Sequence, residues 1–323
     1  MASTREIKRR IRSVKNIRQI TMALEAVSAS RVRRATADAV RARAYANAAM
    51  QVLVNVASAS QSTSALHPLL AQREQVGTIT VALITSNRGL SGAYNTNIIR
   101  VARHFTQVYG KPVRWVAIGR KGRDILHRMG QQIIAAFTEI PAWWSIGDVR
   151  PIVRVMTDEY LGGASDEVYV AYTNFINTLT QQPRIQRFLP LSPDDAAQLA
   201  HLDFVKVRER PSVAVADYIF EPSATAILDD MVPKFVENIM FELLLESAAS
   251  EHSARMVAMR NASENAKALA DDLQLSYNKA RQAMITSEIL DIAGGVEALQ
   301  QATKRSVTSA APASVTDSHY QGS

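Results

Sequence analysis

Polar and apolar residues alternate along this chain in two different periods. From residue 1 to about 60, apolar positions recur every three or four residues; Ile7, Ile11, Val14, Ile17, Ile20, Leu24 and Val27 step along one side of a helix. The same period returns near the other end, where Leu269, Leu273, Tyr277, Ala280 and Met284 lead into Ile285, Ile289, Ile292, Val296 and Leu299, the spacing of a coiled-coil seam. Between them the period shortens. VGTITVALITS (76–86), RWVAIGR (114–120), QQIIAAFTEI (131–140) and DEVYVAYTNF (166–175) read as strands, and RIQRFLPL (184–191) and VAVADYIFEP (213–222) as further edge strands. The intervening TNIIRVARHFTQVYG, GRDILHRMG and DVRPIVRVMTDEYLGG have helical spacing and end on Gly110, Gly130 and Gly162.

Helix breakers draw the same boundaries. No Gly or Pro precedes Pro68 and none occurs from Lys234 to Ala293, whereas ten of the thirteen glycines lie between Gly77 and Gly163. Two uninterrupted helices of that length far exceed the usual 11 to 12 residues and need a partner along their length. Eleven alanines between Ala23 and Ala49 suit close helix–helix packing. The pattern therefore predicts an α/β protein in which long N- and C-terminal helices pair as an antiparallel coiled coil that projects from a Rossmann-like domain, its mainly parallel sheet covered on both faces. The expected divisions are an N-terminal helix over 1–66, the α/β domain over 67–222, a C-terminal helix over 223–302 and a disordered tail over 303–323.

Composition narrows the function. Of 323 residues, 47% are hydrophobic and 21% charged, as in soluble globular chains, and no apolar run approaches the roughly 20 residues needed to span a bilayer. The N-terminus turns charged within five residues, so no secretion signal is expected. There is no cysteine, which excludes disulfides and thiol switching. The net charge of +7 is local: residues 1–43 contain twelve Lys or Arg against three acids, +9, leaving −2 for the rest. That basic helix fits either nucleic acid or an acidic protein surface, but it lacks aromatic residues for base stacking.

Candidate chemistry is sparse. SNRGLSGAYNTN (86–97) follows a strand and opens a helix, as a phosphate loop would, yet its glycine spacing matches neither the dinucleotide fingerprint nor the P-loop, and a tight structural turn explains it better. IGRKGRD (118–124), with Lys121 and Arg123 beside two glycines, is an equally weak phosphate candidate. The six histidines are scattered without zinc-ligand spacing, and no nucleophile elbow is present. No catalytic residue, metal or cofactor is expected.

The two ends together carry a resemblance. IKRRIRSVKNIRQITMALEAVSASRVRR, ITSNRGLSGAYNTN and above all EHSARMVAMRNASENAKALADDLQLSYNKARQAMITSEILDIAGG closely resemble the gamma subunit of F-type ATP synthase, over nearly the whole chain to about residue 300. The resemblance implies a non-catalytic central rotor stalk, whose terminal helices turn inside the ring of alpha and beta subunits while the α/β domain forms a foot on the membrane c-ring. It implies partners in the alpha, beta and epsilon subunits and the c-ring, and peripheral location on the cytoplasmic face of a bacterial plasma membrane. It places Arg281, Gln282 and Thr286 against a loop of one beta subunit, with Leu24 close by. It sets Lys8, Arg9, Arg12 and Lys15 against an acidic collar of the head, and Tyr218, Phe220 and Glu221 on the membrane ring. Asn87 stands where the family usually has Asp, leaving a charge-dependent role for that loop in doubt. The alternatives are a coiled-coil scaffold or nucleic-acid-binding protein with an α/β head, and a phosphate-binding enzyme at Gly89–Asn97.

Overall fold

A computed structural model of the chain describes residues 4–59, 67–139, 141, 143–191 and 223–309. The first helix, α1, spans Thr4–Ala59, and the last, α5, spans Ala224–Ser309, continuing past residue 302 and through Gly294 and Gly295. Between them come β1 (Ile79–Ile84), α2 (Tyr94–Tyr109), β2 (Val113–Ile118), α3 (Arg120–Arg128), β3 (Ile133–Phe137), α4 (Ile146–Leu161), β4 (Glu167–Phe175) and β5 (Gln181–Leu189). The expected edge strand over 213–222 lies outside the described residues. No described helix is long and apolar enough to cross a membrane.

The chain forms two compact units, one made of residues 20–263 and the other of 1–19 with 264–323. In the larger unit the described strands form one sheet in the order β3-β2-β1-β4-β5, with β1 to β4 parallel and β5 antiparallel to β4. Alternate side chains of β1 feed opposite faces, as strand geometry requires. Ala82 and Ile84 join a core with Ile152 and Met156 of α4 and Val232, Val236, Met240 and Leu244 of α5. Ile79, Val81 and Leu83 join Ile98 and Ala102 of α2 and Leu126 of α3. The covered, mainly parallel sheet is the Rossmann-like arrangement expected from the alternating pattern.

The helices pair, but in a different phase from the one expected. On α1 a covered or half-covered line of Ile7, Ile11, Val14, Arg18, Thr21, Glu25, Ser28, Val32, Ala35 and Ala39 alternates fours and threes, with Leu24, Ala29, Arg31, Thr36 and Asp38 half-covered beside it. Ile17, Ile20 and Val27 instead stand 50 to 60% exposed. Following apolar identity from Val14 to Ile17 to Ile20 takes two successive steps of three, which rotates a stripe by about 120° around a helix of 3.6 residues per turn. The packed stripe keeps its heading by accepting polar residues, and the Arg260 guanidinium reaches across from α5 to the Glu25 carboxylate at 2.9 Å. Contacts of Glu25 with Arg260, and of Val32 with Ala249 in one buried cluster, run in opposite sequence directions, so the pairing is antiparallel.

In the smaller unit the covered α5 positions Ala266, Ala270, Leu273, Tyr277 and Ala280 keep the same alternation, while Leu269 and Met284 are exposed. The isoleucine stripe is not part of this seam. Ile285, Ile289, Ile292 and Val296 are 44 to 69% exposed, and every position described from Arg281 to Ala302 is exposed. Among the described residues nothing covers α5 after Ala280.

Gly119, at the β2–α3 junction, has φ +104°, and a Cβ there would lie 2.2 Å from the Thr85 carbonyl oxygen. The obstacle is backbone, so it cannot swing aside. Gly119→Ala is expected to destabilise the folded chain by about 2 kcal/mol or more, read as a lowered urea midpoint at unchanged slope.

Candidate functional surfaces

The crevice of an open α/β sheet lies at the carboxyl ends of the strands where the strand order reverses, here between β1 and β4. Its rim is the 85–93 loop, held as a tight turn. Asn95 Oδ1 accepts from the Ser86 N–H at 3.0 Å, and the Ser86 hydroxyl donates to the Arg88 carbonyl at 2.6 Å. Leu90 and Gly92 take left-handed φ values of 64° and 56°.

The loop also closes the neighbouring helix N-terminus. The first four N–H groups of a helix lack intrahelical partners and are what cradles a phosphate. In α3, Arg120 N–H donates to Asn87 Oδ1 (2.9 Å), Lys121 N–H to the Ser86 carbonyl (3.1 Å) and Gly122 N–H to Thr85 Oγ1 (2.8 Å). Arg123 N–H then bonds the Gly119 carbonyl at 3.2 Å. Asn87 therefore has a definite part: a neutral amide oxygen caps α3, which needs an acceptor and no charge.

The crevice itself is occupied by α5. Ser253 Oγ donates to the Thr178 carbonyl in the β4–β5 turn at 2.8 Å. Gly92 comes within ordinary contact range of Ala254 and Ala258. Arg255 pairs with Glu251 at 2.7 Å and points toward the Arg88 and Gly89 carbonyls at 3.5 and 3.4 Å. Burial raises the Glu251 carboxyl above its ordinary pKa although Arg255 pulls the other way. Burial, then the guanidiniums of Arg255 and Arg31, push the neighbouring His252 imidazole down to about 4.

The residues singled out on the helices fall into three groups. Lys8, Arg9, Arg12 and Lys15 are all exposed on α1, turned away from the Ile7–Ile11–Val14 seam. Arg281, Gln282 and Thr286 are exposed on α5 beyond the paired stretch, with the Thr286 hydroxyl donating to the Gln282 carbonyl at 3.0 Å. Leu24 is half-buried in the larger unit, and its carbonyl accepts the Ser28 hydroxyl at 2.7 Å. Tyr218, Phe220 and Glu221 lie outside the described residues. The sequence reading missed the Asn87 cap, the Glu25–Arg260 pair and the exposed Ile17, Ile20 and Val27. A strict heptad count from Ile7 would have found those three exposed residues.

An antiparallel two-helix coil joined to an α/β sheet whose ligand crevice is filled by its own helix defines a stalk or scaffold class of protein, without a catalytic site among the described residues. Comparisons with known proteins are specific. The sequence profile of the ATP synthase family matches residues 3–299. The ATP synthase gamma chain of Herpetosiphon aurantiacus is 42% identical over 310 residues, covering 93% of this chain and all of the relative. That of Dehalococcoides mccartyi strain CBDB1 is 42% identical over 299 residues, with the same coverage. Among solved structures, a chain of the Euglena gracilis mitochondrial ATP synthase assembly of OSCP, F1 and c-ring aligns with TM-score 0.63 at 19% identity, covering 98% of this chain and 99% of that one. A chain of the Tetrahymena thermophila mitochondrial central stalk and c-ring aligns with TM-score 0.55 at 22% identity, covering 76% and 99%. The chain belongs to the ATP synthase gamma-chain family. Its role is that of the central stalk, a non-catalytic subunit of the membrane-associated complex.

Two outcomes follow for the isolated chain. Because the N–H groups at the start of α3 are satisfied internally, millimolar ATP or inorganic phosphate should leave its melting temperature unchanged; a rise would restore the phosphate-site reading. His252 gives a pH signature. The unfolded imidazole protonates near pH 6.5 and the folded one only near 4, so the unfolded state binds more protons in that window. Stability is full above about pH 6.5 and lost as pH falls toward about 4. Between about pH 7 and about pH 5 the loss from this group should be about 1–2 kcal/mol, and His252→Gln should remove that part of the urea-midpoint shift.

Proposed function

We propose that the exposed end of α5 beyond Ala280 is the surface through which this stalk acts on the catalytic subunits. The observation that carries the reading is the exposed stripe of Ile285, Ile289, Ile292 and Val296 on a helix that continues to Ser309. Burying each such side chain contributes about 1.5–3 kcal/mol, and nothing among the described residues covers them. A surrounding ring of alpha and beta subunits would. Arg281, Gln282 and Thr286 sit at the start of this stretch with a different chemistry: a planar cationic fork that suits carboxylates, flanked by neutral hydrogen-bonding groups. Turned against a beta subunit, they would meet its acidic loop once per revolution, so each beta subunit faces a different side of the helix at any instant.

The basic stretch of Lys8, Arg9, Arg12 and Lys15 supports a second contact, with an acidic collar around the opening of the ring. Being exposed and fully solvated, these charges act through field and steering more than through fixed pairs. Leu24, next to Glu25, lies level with Arg260 and not with Arg281, so it would belong to a separate contact. Tyr218, Phe220 and Glu221 would rest on the polar loops of the c-ring, with the epsilon subunit beside them. The helix units 1–66 and 223–302 would serve as shaft, 67–222 as foot and the residues after 302 as tail, on the cytoplasmic face of a bacterial plasma membrane. Proton flow turns ring and foot; the asymmetric helix pair then drives the beta sites through their states in turn, and ATP hydrolysis runs the sequence backwards. Two distant sites coupled through one rigid element meet the thermodynamic definition of allostery.

Arg281→Ala with Gln282→Ala tests the carrying contact. Coupled ATP synthesis by the reconstituted complex is expected to fall about ten-fold, the equivalent of one charge-assisted hydrogen bond, while the melting temperature of the isolated chain stays put because both residues are exposed. Undiminished synthesis would remove the pair from the mechanism.

A further inference from the structure

At the carboxyl end of β4 the sheet loses one neighbour. On one side, β1 pairs with β4 only as far as Leu83 opposite Ala171. On the other, pairing with β5 continues to Phe175 opposite Gln181. The peptide groups of Thr173 are nevertheless satisfied, and by α5. Thr173 N–H donates to Ser247 Oγ at 3.2 Å, and the Ser250 hydroxyl donates back to the Thr173 carbonyl at 3.1 Å. The Ser253 hydroxyl reaches the Thr178 carbonyl at 2.8 Å. All three serines are essentially inaccessible to solvent. Their spacing of three places them on one slanted strip of the helix, each within reach of a backbone group on the sheet.

We infer that Ser247, Ser250 and Ser253 form a keyed joint that fixes α5 in rotation about its own axis against the sheet, and that torque passes between the α/β domain and the helix through it. The inference rests on the rotor reading above. Apolar packing along Val236, Met240 and Leu244 holds α5 on the sheet, but such contact is non-directional and roughly proportional to area, so a small rotation costs it little. Hydrogen bonds to a fixed strand end are directional and weaken steeply with misalignment. Turning α5 by the angle of a single residue would take each hydroxyl off its partner and leave the buried Thr173 amide and carbonyl without these bonds. The serines are thus positioning residues. They touch no nucleotide, and they decide whether the helix follows the domain or slips against it. A shaft that also carries load needs such a directional element; purely hydrophobic seating would yield.

The experiment uses the assembled complex carrying Ser247→Ala, Ser250→Ala and Ser253→Ala together, with the head fixed and a bead on the c-ring. Two quantities are read: the width of the bead's angular distribution when the motor is stalled, and the ratio of protons pumped to ATP hydrolysed. A looser joint widens the distribution and lowers the ratio while ATPase activity is retained, and Ser250→Thr, which keeps the hydroxyl, behaves as the unaltered complex. An unchanged width and ratio in the assembled triple variant overturns the joint. If the triple variant does not assemble, Ser247→Ala and Ser253→Ala are read singly by the same two quantities and the same criteria. Failure of the unaltered complex to rotate would instead overturn the rotor reading, so the two failures are distinguishable.

Discussion

A helix is stable in water only where something buries one of its faces, and that constraint governs this whole chain. An isolated helix shorter than about 12–15 residues is marginal, and a longer one gains little unless an amphipathic face is covered. Helix α5, at 86 residues, meets the requirement in stages. Its first stretch lies on the sheet with α4, through Val232, Val236 and Met240. Its second binds the open end of β4 through serine hydroxyls. Its third shares a seam of small residues with α1. After Ala280 its described side chains are exposed, and no other described element covers them. Each stage has its own chemistry because the partner surface differs: a sheet face accepts Val and Met, a strand end needs hydrogen-bonding groups, and close helices need Ala and Ser.

That ordering explains what could be read in the sequence. The strands and short helices of the α/β domain were legible because period-2 and period-3.6 patterns are dictated by one local surface, and Gly110 closes α2 in a left-handed conformation as a C-cap glycine should. The two long helices were legible from missing breakers alone. The phase of their seam was not. Between Arg18 and Ser28 the line facing α5 is Arg18, Thr21, Glu25 and Ser28, while Ile20 and Val27 are exposed. A reader who follows hydrophobicity is drawn to the second. The same conflict misassigned the isoleucines after Met284: their spacing is that of a seam, and nothing local says that no described element covers them. Local rules fail where a segment serves a contact not made within the fold. Of the candidate contact residues, Arg281, Gln282 and Thr286 were placed by resemblance, and the structure adds that they are exposed. The serine contacts were invisible because Ser in a helix is usually solvated, and nothing local shows that β1 stops short of the end of β4.

The closed crevice links the architecture to the absence of chemistry. In a doubly wound sheet the carboxyl ends of the strands present loop amides and a helix N-terminus, the natural seat for a phosphate. Here the amides that begin α3 are taken by Thr85, Ser86 and Asn87, and the crevice is filled by Ser253, Ala254 and Arg255. An open ligand pocket at this point would have removed the contacts that hold α5 to β4. A nucleotide there would also have made the rigidity of the helix depend on ligand occupancy, since a bound ligand stabilises only the state that binds it. A stalk has to transmit the same rotation whatever the nucleotide concentration. Filling the crevice with its own helix makes that connection permanent, and leaves nucleotide binding to the subunits the stalk acts upon.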